Sequence, residues 1–195
     1  MSVVPLNFYD ALLNSYDNNP DALNHTGFTY DKGLSNHNQQ VYFNQKDNKL
    51  LYSVAGTHNA SDLGTDLYMG LGGLKNTQRY KEADHTLNEA KKKYNPGHTT
   101  VIGSSLGGSI ASKLSGDKIY TYNKFSHALE KVIPNEQSYR TSGDLVSYLN
   151  PNKNTKTLKG NPKILPIHLP TYRSIATNAY DKHQLKNIKN KNIFI

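Results

Sequence analysis

The chain has 195 residues, 35% apolar and 19% charged, with a mean hydropathy of −0.72 and neither Cys nor Trp. At roughly 150 residues per domain it reads as a single domain, 1–195, and the lack of Cys excludes a disulfide framework, a thiolate metal site and a Cys nucleophile together. The net charge of +8 lies wholly in the basic C-terminal part, 151–195, where Lys153, Lys156, Lys159, Lys163, Arg173, Lys182, Lys186, Lys189 and Lys191 face only Asp181; such a surface either keeps the protein soluble or attracts phosphate, in lipid or nucleic acid.

The opening residues lack a basic region and a long apolar run, so no secretory leader is expected, and no run is long enough to span a bilayer. Leu6, Tyr9, Leu12, Leu13 and Tyr16 recur at helical spacing and predict a short helix ending near Asn18-Asn19-Pro20. Polar, turn-rich sequence follows to about residue 38. Gln40–Asn44 and Lys49–Ala55 then read as the two strands of a hairpin around Gln45–Asn48. Tyr80, Ala83, Leu87, Ala90 and Tyr94 form one stripe of a helix from Asn76 to Tyr94, capped by Asn76 or Thr77 and stopped by Asn95-Pro96-Gly97.

Thr99–Ile102 is a predicted strand running into Gly103-Ser104-Ser105-Leu106-Gly107-Gly108, and a helix with Leu106, Ile110, Ala111 and Leu114 facing inward follows. Ile119–Tyr122 and Ser138–Thr141 read as further strands. Residues 150–163 are polar and patternless. Lys163–Pro170 reads as an edge strand, because its prolines cannot donate within a central one. Strands alternating with helices predict an α/β fold: a mostly parallel sheet flanked by helices, with an N-terminal hairpin.

Gly103-Ser104-Ser105-Leu106-Gly107 is a G-x-S-x-G between a predicted strand and a predicted helix. A nucleophile on so sharp a turn has strained backbone angles and needs neighbours without bulk, and the helix start supplies N–H groups for an oxyanion. The competing reading is a Gly/Ser loop that only joins strand to helix. A serine nucleophile needs a base and an orienting acid, which in α/β-hydrolases follow in the order acid, then His. Asp117, Glu130, Glu136, Asp144 and Asp181 lie between Ser105 and His183, the last of three downstream histidines. Asp117 precedes its strand and belongs to the opposite edge. Asp144 follows a strand, His127 comes too early, and His168 lies in the proline-flanked edge segment. Ser105, Asp144 and His183 are therefore the candidate triad. His25, His37, His85 and His98 read as surface or turn residues, and no metal-ligand spacing or phosphate-binding glycine motif is present, so neither metal nor cofactor is expected.

From about Val41 to Asn187 the chain resembles the class 3 lipase family of α/β-hydrolases. Val54-Ala55-Gly56-Thr57, followed by Asp62 and Asp66, is similar to the family's oxyanion strand. Ser104-Ser105-Leu106-Gly107-Gly108 resembles its elbow, with Ser104 where the family usually has His. Arg140–Ser147 resembles its acid motif and His183–Ile188 its terminal His motif. The resemblance implies an oxyanion hole built from Thr57 and the N–H of Leu106. It also places Leu67–Leu74 at the family's lid position, as an acyl-binding wall, a small mobile lid or an ordinary buried loop. The size and Asn/Lys-rich character are similar to short viral lipase-like proteins.

The resemblance implies a serine esterase acting on lipid or phospholipid esters. An acyltransferase or thioesterase with the same triad and a non-catalytic membrane-docking or structural protein are the alternatives. The basic segment suits peripheral contact with an anionic membrane. A nucleic-acid partner is disfavoured because that segment shows no regular aromatic interleaving or binding motif. Oligomeric state is open. The lack of Cys and of a leader favours an intracellular or virion-associated, non-oxidising setting.

Overall fold

A computed structural model describes residues 6–17, 20–57, 73–126, 131–141 and 155–158. In chain order these form α1 (Phe8–Asp17), β1 (Thr29–Tyr30), β2 (Gln39–Asn44), β3 (Lys49–Val54), α2 (Gln78–Tyr94), β4 (His98–Ser104), α3 (Leu106–Ala111), β5 (Lys118–Tyr122), β6 (Glu136–Thr141) and β7 (Lys156–Leu158). The seven strands make one sheet whose spatial order is the chain order. β1, β2 and β3 pair antiparallel, and β3 through β7 are all parallel.

Right-handed crossovers that always step in the same direction put their helices on the same face of a sheet. The burial pattern follows this rule. On one face Val41, Leu50, Tyr52, Val54, Val101 and Ile119 pack with Ala83, Leu87 and Ala90 of α2 and Ile110 and Ala111 of α3. On the other, Tyr42, Leu51, Ile102, Tyr122 and Tyr139 pack with Phe8, Ala11 and Leu12 of α1. Neighbouring strand residues thus serve opposite layers, as the period of two requires.

The local signals behind these elements are identifiable. Thr77 caps α2 by accepting a hydrogen bond from the N–H of Tyr80 at 3.2 Å, and Asn95 ends it in the left-handed region at φ 42°. Asp31, just beyond β1, accepts from Lys93 Nζ at 2.6 Å, from the Tyr94 hydroxyl at 2.8 Å and from the N–H of Gly33 at 2.9 Å. Burial pushes its carboxyl up, but these partners outweigh burial and hold it below its ordinary value. This cluster ties the edge of the sheet to the last turn of α2.

Three departures from the sequence-based expectations have physical reasons. β1 falls in the stretch taken as turn-rich, and β7 falls in 150–163, taken as patternless. Both are two or three residues long and contain no buried residue, so they leave no periodic signal. The helix expected to reach Leu114 ends at Ala111, although Leu114 is still buried against the same core. His98, expected as a surface or turn residue, is at the surface, its side chain 36% exposed, and is the first residue of β4, with Nδ1 3.8 Å from Asp117 Oδ2.

Beneath α3 the β5–β6 pair carries a polar layer where a helix-covered sheet is ordinarily apolar. Lys124 and Glu136 are 2% and 0% exposed and pair at 2.9 Å. Glu136 also accepts from Thr121 Oγ1 at 2.6 Å, and Thr121 Oγ1 lies 3.0 Å from Ser138 Oγ. Removing one member of such a pair strands a charge in a dry site, which costs about 3–5 kcal/mol, whereas removing both is far milder. Lys124→Met or Glu136→Gln alone is therefore expected to lower the thermal midpoint by many degrees. The double replacement Lys124→Met/Glu136→Leu should recover most of that loss, as differential scanning calorimetry would register.

Candidate active site at the strand ends

The carboxyl ends of the parallel strands are where open α/β sheets place their sites. Here Val54 pairs with Gly103, Ser104 with Tyr122, Tyr122 with Tyr139 and Thr141 with Leu158, so the exits of β3 to β7 line up along one edge. Ser105 is the single residue between β4 and α3. Its backbone is at φ 54°, ψ −127°, a conformation that costs a non-glycine residue about 1–3 kcal/mol. Its N–H donates to the carbonyl of Tyr122 at 2.9 Å, and its own carbonyl accepts from the N–H of Ser109 at 3.1 Å. Ser109 Oγ donates to the carbonyl of Phe125 at 2.7 Å, tying α3 to the segment after β5.

The turn is this tight because its neighbours have no side chains. A Cβ on Gly103 would overlap the carbonyl of Gly107 and lie 2.8 Å from the Gly108 nitrogen. A Cβ on Gly107 would overlap the carbonyls of Val54 and Ala55, and one on Gly108 would lie 2.8 Å from Lys124 Cβ. Backbone therefore rests on backbone at Gly103 and Gly107, and the first turn of α3 lies directly against the exit of β3. That exit leads to Thr57, which is half-buried. Leu106 opens α3, where first-turn N–H groups have no i−4 carbonyl to bond.

The Ser105 hydroxyl is buried and, among the described residues, has no hydrogen-bond partner. Leaving such a group unsatisfied costs about 1–3 kcal/mol, and a native orphan of this kind asks for an explanation. Strain and an orphaned hydroxyl thus coincide on one residue. Ser104, beside it, is a buried member of β4.

The acid candidates are partly sorted by position. Asp117 accepts the N–H of Thr99 at 2.6 Å at the amino end of the sheet, the edge opposite Ser105, as the sequence suggests. Glu136 is engaged by Lys124 and Thr121. The end of β6 is held to the turn after β5: Asn123 accepts the N–H of Thr141 at 2.7 Å, and its own N–H donates to the Tyr139 carbonyl at 2.8 Å. Asp144 comes three residues after that fixed point. Asp144, His183, Glu130, Asp181, His127, His168, the expected edge strand 163–170 and residues 67–72 lie outside the described residues. Of the expected lid segment, Leu74 is buried in the core shared with α2.

Two residues at this edge escape a reading of the sequence. Lys124 looks like a solvated cation. Arg79 looks like an ordinary helix-surface residue, yet its guanidinium donates to the carbonyl of Ala55 at 2.7 Å. The only sequence-level signal for Arg79 is a cation in the first turn of a helix, where the dipole disfavours it.

The fold has clear counterparts. The chain resembles native Rhizomucor miehei lipase in its propeptide complex at TM-score 0.52 and 14% identity, over 96% of this chain and 81% of that one. It resembles a fungal lipase in an inhibitor complex at TM-score 0.51 and 19% identity, over 74% and 72%. It also resembles a triacylglycerol lipase whose catalytic centre is formed by a serine protease triad, at TM-score 0.50 and 16% identity, over 73% and 72%. The architecture is an α/β-hydrolase-like fold. No protein-family model matches the sequence, and no curated protein matches it.

Because Gly107 lies against main-chain carbonyls rather than against mobile side chains, the elbow has no room to relax. Gly107→Ala is expected to destabilise the fold by about 1–3 kcal/mol or more, as overpacking does. Ser109→Ala, which loses a hydroxyl shared between the carbonyls of Phe125 and Ser105, should cost only about 1 kcal/mol. Urea denaturation of the two variants side by side measures the difference.

Proposed function

We propose that the protein is a serine esterase that cleaves carboxylic esters of lipids or phospholipids, with Ser105 as nucleophile, His183 as base and Asp144 as orienting acid. The observation that carries this is Ser105 itself: a strained, non-glycine turn residue at a strand end, with a buried hydroxyl that has no partner among the described residues. A fold that maintains both costs at one residue is consistent with a nucleophile preorganised for attack.

In this mechanism His183 takes the Ser105 proton as Oγ attacks the ester carbonyl carbon. Asp144 fixes the imidazole tautomer and stabilises the imidazolium that forms. The N–H of Leu106 and the Thr57 donor hold the oxyanion, each worth about 10²–10³ in rate. The imidazolium then protonates the departing alcohol, and water, deprotonated by His183, releases the acid and restores Ser105.

The lipid character of the substrate is supported by the fold's likeness to lipases. The basic residues of 151–195 supply a positive region suited to an anionic membrane carrying that substrate. The triad position of Asp144 is supported by topology: it follows β6, the second strand beyond the one that delivers Ser105.

A fluorophosphonate probe tests the proposal. Wild-type protein should be labelled covalently, Ser105→Ala not at all, and His183→Ala and Asp144→Asn at least a hundredfold more slowly while still folded. Folded wild type that stays unlabelled, or labelling that survives Ser105→Ala, would overturn it. With p-nitrophenyl esters of graded chain length and phospholipid vesicles as substrates, the active enzyme should prefer anionic vesicles and lose that preference at high salt.

A further inference from the structure

Arg79 occupies the second residue of α2, in a first turn that carries no acidic side chain. A cation there opposes the helix dipole, by about 0.3–1 kcal/mol for an exposed charge. The guanidinium nevertheless turns toward the exit of β3, donating through Nη2 to the Ala55 carbonyl at 2.7 Å and reaching the Gly56 carbonyl through Nη1 at 3.5 Å. These carbonyls belong to the two residues immediately before Thr57. The Ala55 carbonyl is also one of the main-chain groups against which Gly107 packs. Arg79 thus grips the short segment between the last residue of β3 and Thr57, a segment also held where the Ala55 N–H donates to the Asn38 carbonyl at 2.9 Å.

We infer that Arg79 is a positioning residue for the oxyanion site: by fixing the peptide planes of Ala55 and Gly56 it sets the direction in which Thr57 presents its donor. This rests on the esterase reading above and deepens it. The physical need is plain. An oxyanion donor acts by preorganisation, so a donor on an irregular segment beyond a strand end must be held from outside the strand ladder. A guanidinium suits this task because its planar fork addresses two neighbouring carbonyls at fixed angles, whereas an ammonium offers a single point of charge. Helix α2, anchored along its length by Ala83, Leu87 and Ala90, supplies the rigid base.

The test uses the full-length protein, a short soluble p-nitrophenyl ester and the fluorophosphonate probe, with Arg79→Ala, Arg79→Lys, Thr57→Ala and Thr57→Ala/Arg79→Ala. Arg79→Ala is expected to lower kcat and the probe-labelling rate about tenfold or more, with KM changed less than about twofold, since the lost interaction matters only once charge develops on the carbonyl oxygen. Arg79→Lys should recover part of the rate. The double variant should be no slower than Thr57→Ala, because Arg79 acts through Thr57. If labelling of Arg79→Ala equals wild type, if its loss adds in full to that of Thr57→Ala, or if the rate loss of Arg79→Lys merely follows a fallen thermal midpoint, the positioning role is overturned while the esterase reading stands. Wild type that is neither labelled nor active overturns both.

Discussion

The structure turns on a contact between main chains. Where the first turn of α3 meets the end of β3, Gly107 lies against the carbonyls of Val54 and Ala55, and Gly103 lies against Gly107 and Gly108. With no side chain between them, strand β4 reverses into a helix across one residue. That residue, Ser105, is then forced to φ 54°. The same contact brings the β3 exit, with Thr57 beyond it, alongside the helix start. Because β3 to β7 are parallel, the exits of β5, β6 and β7 open on this edge as well. A glycine-only contact of about two residues thus organises a site drawn from widely separated stretches of chain.

That contact is stable only because regular structure on both sides carries its costs. The strained turn, and a buried hydroxyl without a partner among the described residues, are each unfavourable by about 1–3 kcal/mol, comparable with a large part of the net stability of an ordinary domain. Against them stand two apolar layers, one under α1 and one under α2 and α3, in which side chains such as Leu12, Leu51, Leu87, Ile102 and Ile110 are almost wholly removed from water. Two departures from local rules lie near this edge: a positive φ at Ser105 and a cation in the first turn of α2.

What could be read from the sequence was whatever leaves a local pattern. The stripe of Ala83, Leu87 and Ala90 places α2, with its end at Tyr94 marked by Asn95-Pro96-Gly97. The G-x-S-x-G, flanked by a strand and a helical stripe, places Ser105 at a strand-to-helix turn. Asp117 is assigned to the far edge simply because it precedes β5. The edge strands β1 and β7 were not legible, since a pair such as Thr29-Tyr30 is too short to show alternation, and Lys156 and Thr157 face solvent. Nor were Lys124 and Arg79, because a charged residue carries no mark in the sequence that its partner is a buried carboxylate 12 positions away or a carbonyl 24 positions away. Those pairings exist only once the sheet order is fixed. The roles proposed for Asp144 and His183 rest on their order in the chain and on resemblance to a family.

The most direct measurement is the site of acylation during turnover. Mixing the protein with excess p-nitrophenyl acetate, quenching in acid within the first turnover and mapping peptides by mass spectrometry would reveal a covalent intermediate. The account predicts a burst of p-nitrophenol and a single acetyl group on Ser105, absent from the Ser105→Ala protein. A burst with the acetyl group on a different residue, or turnover undiminished in Ser105→Ala, would contradict it.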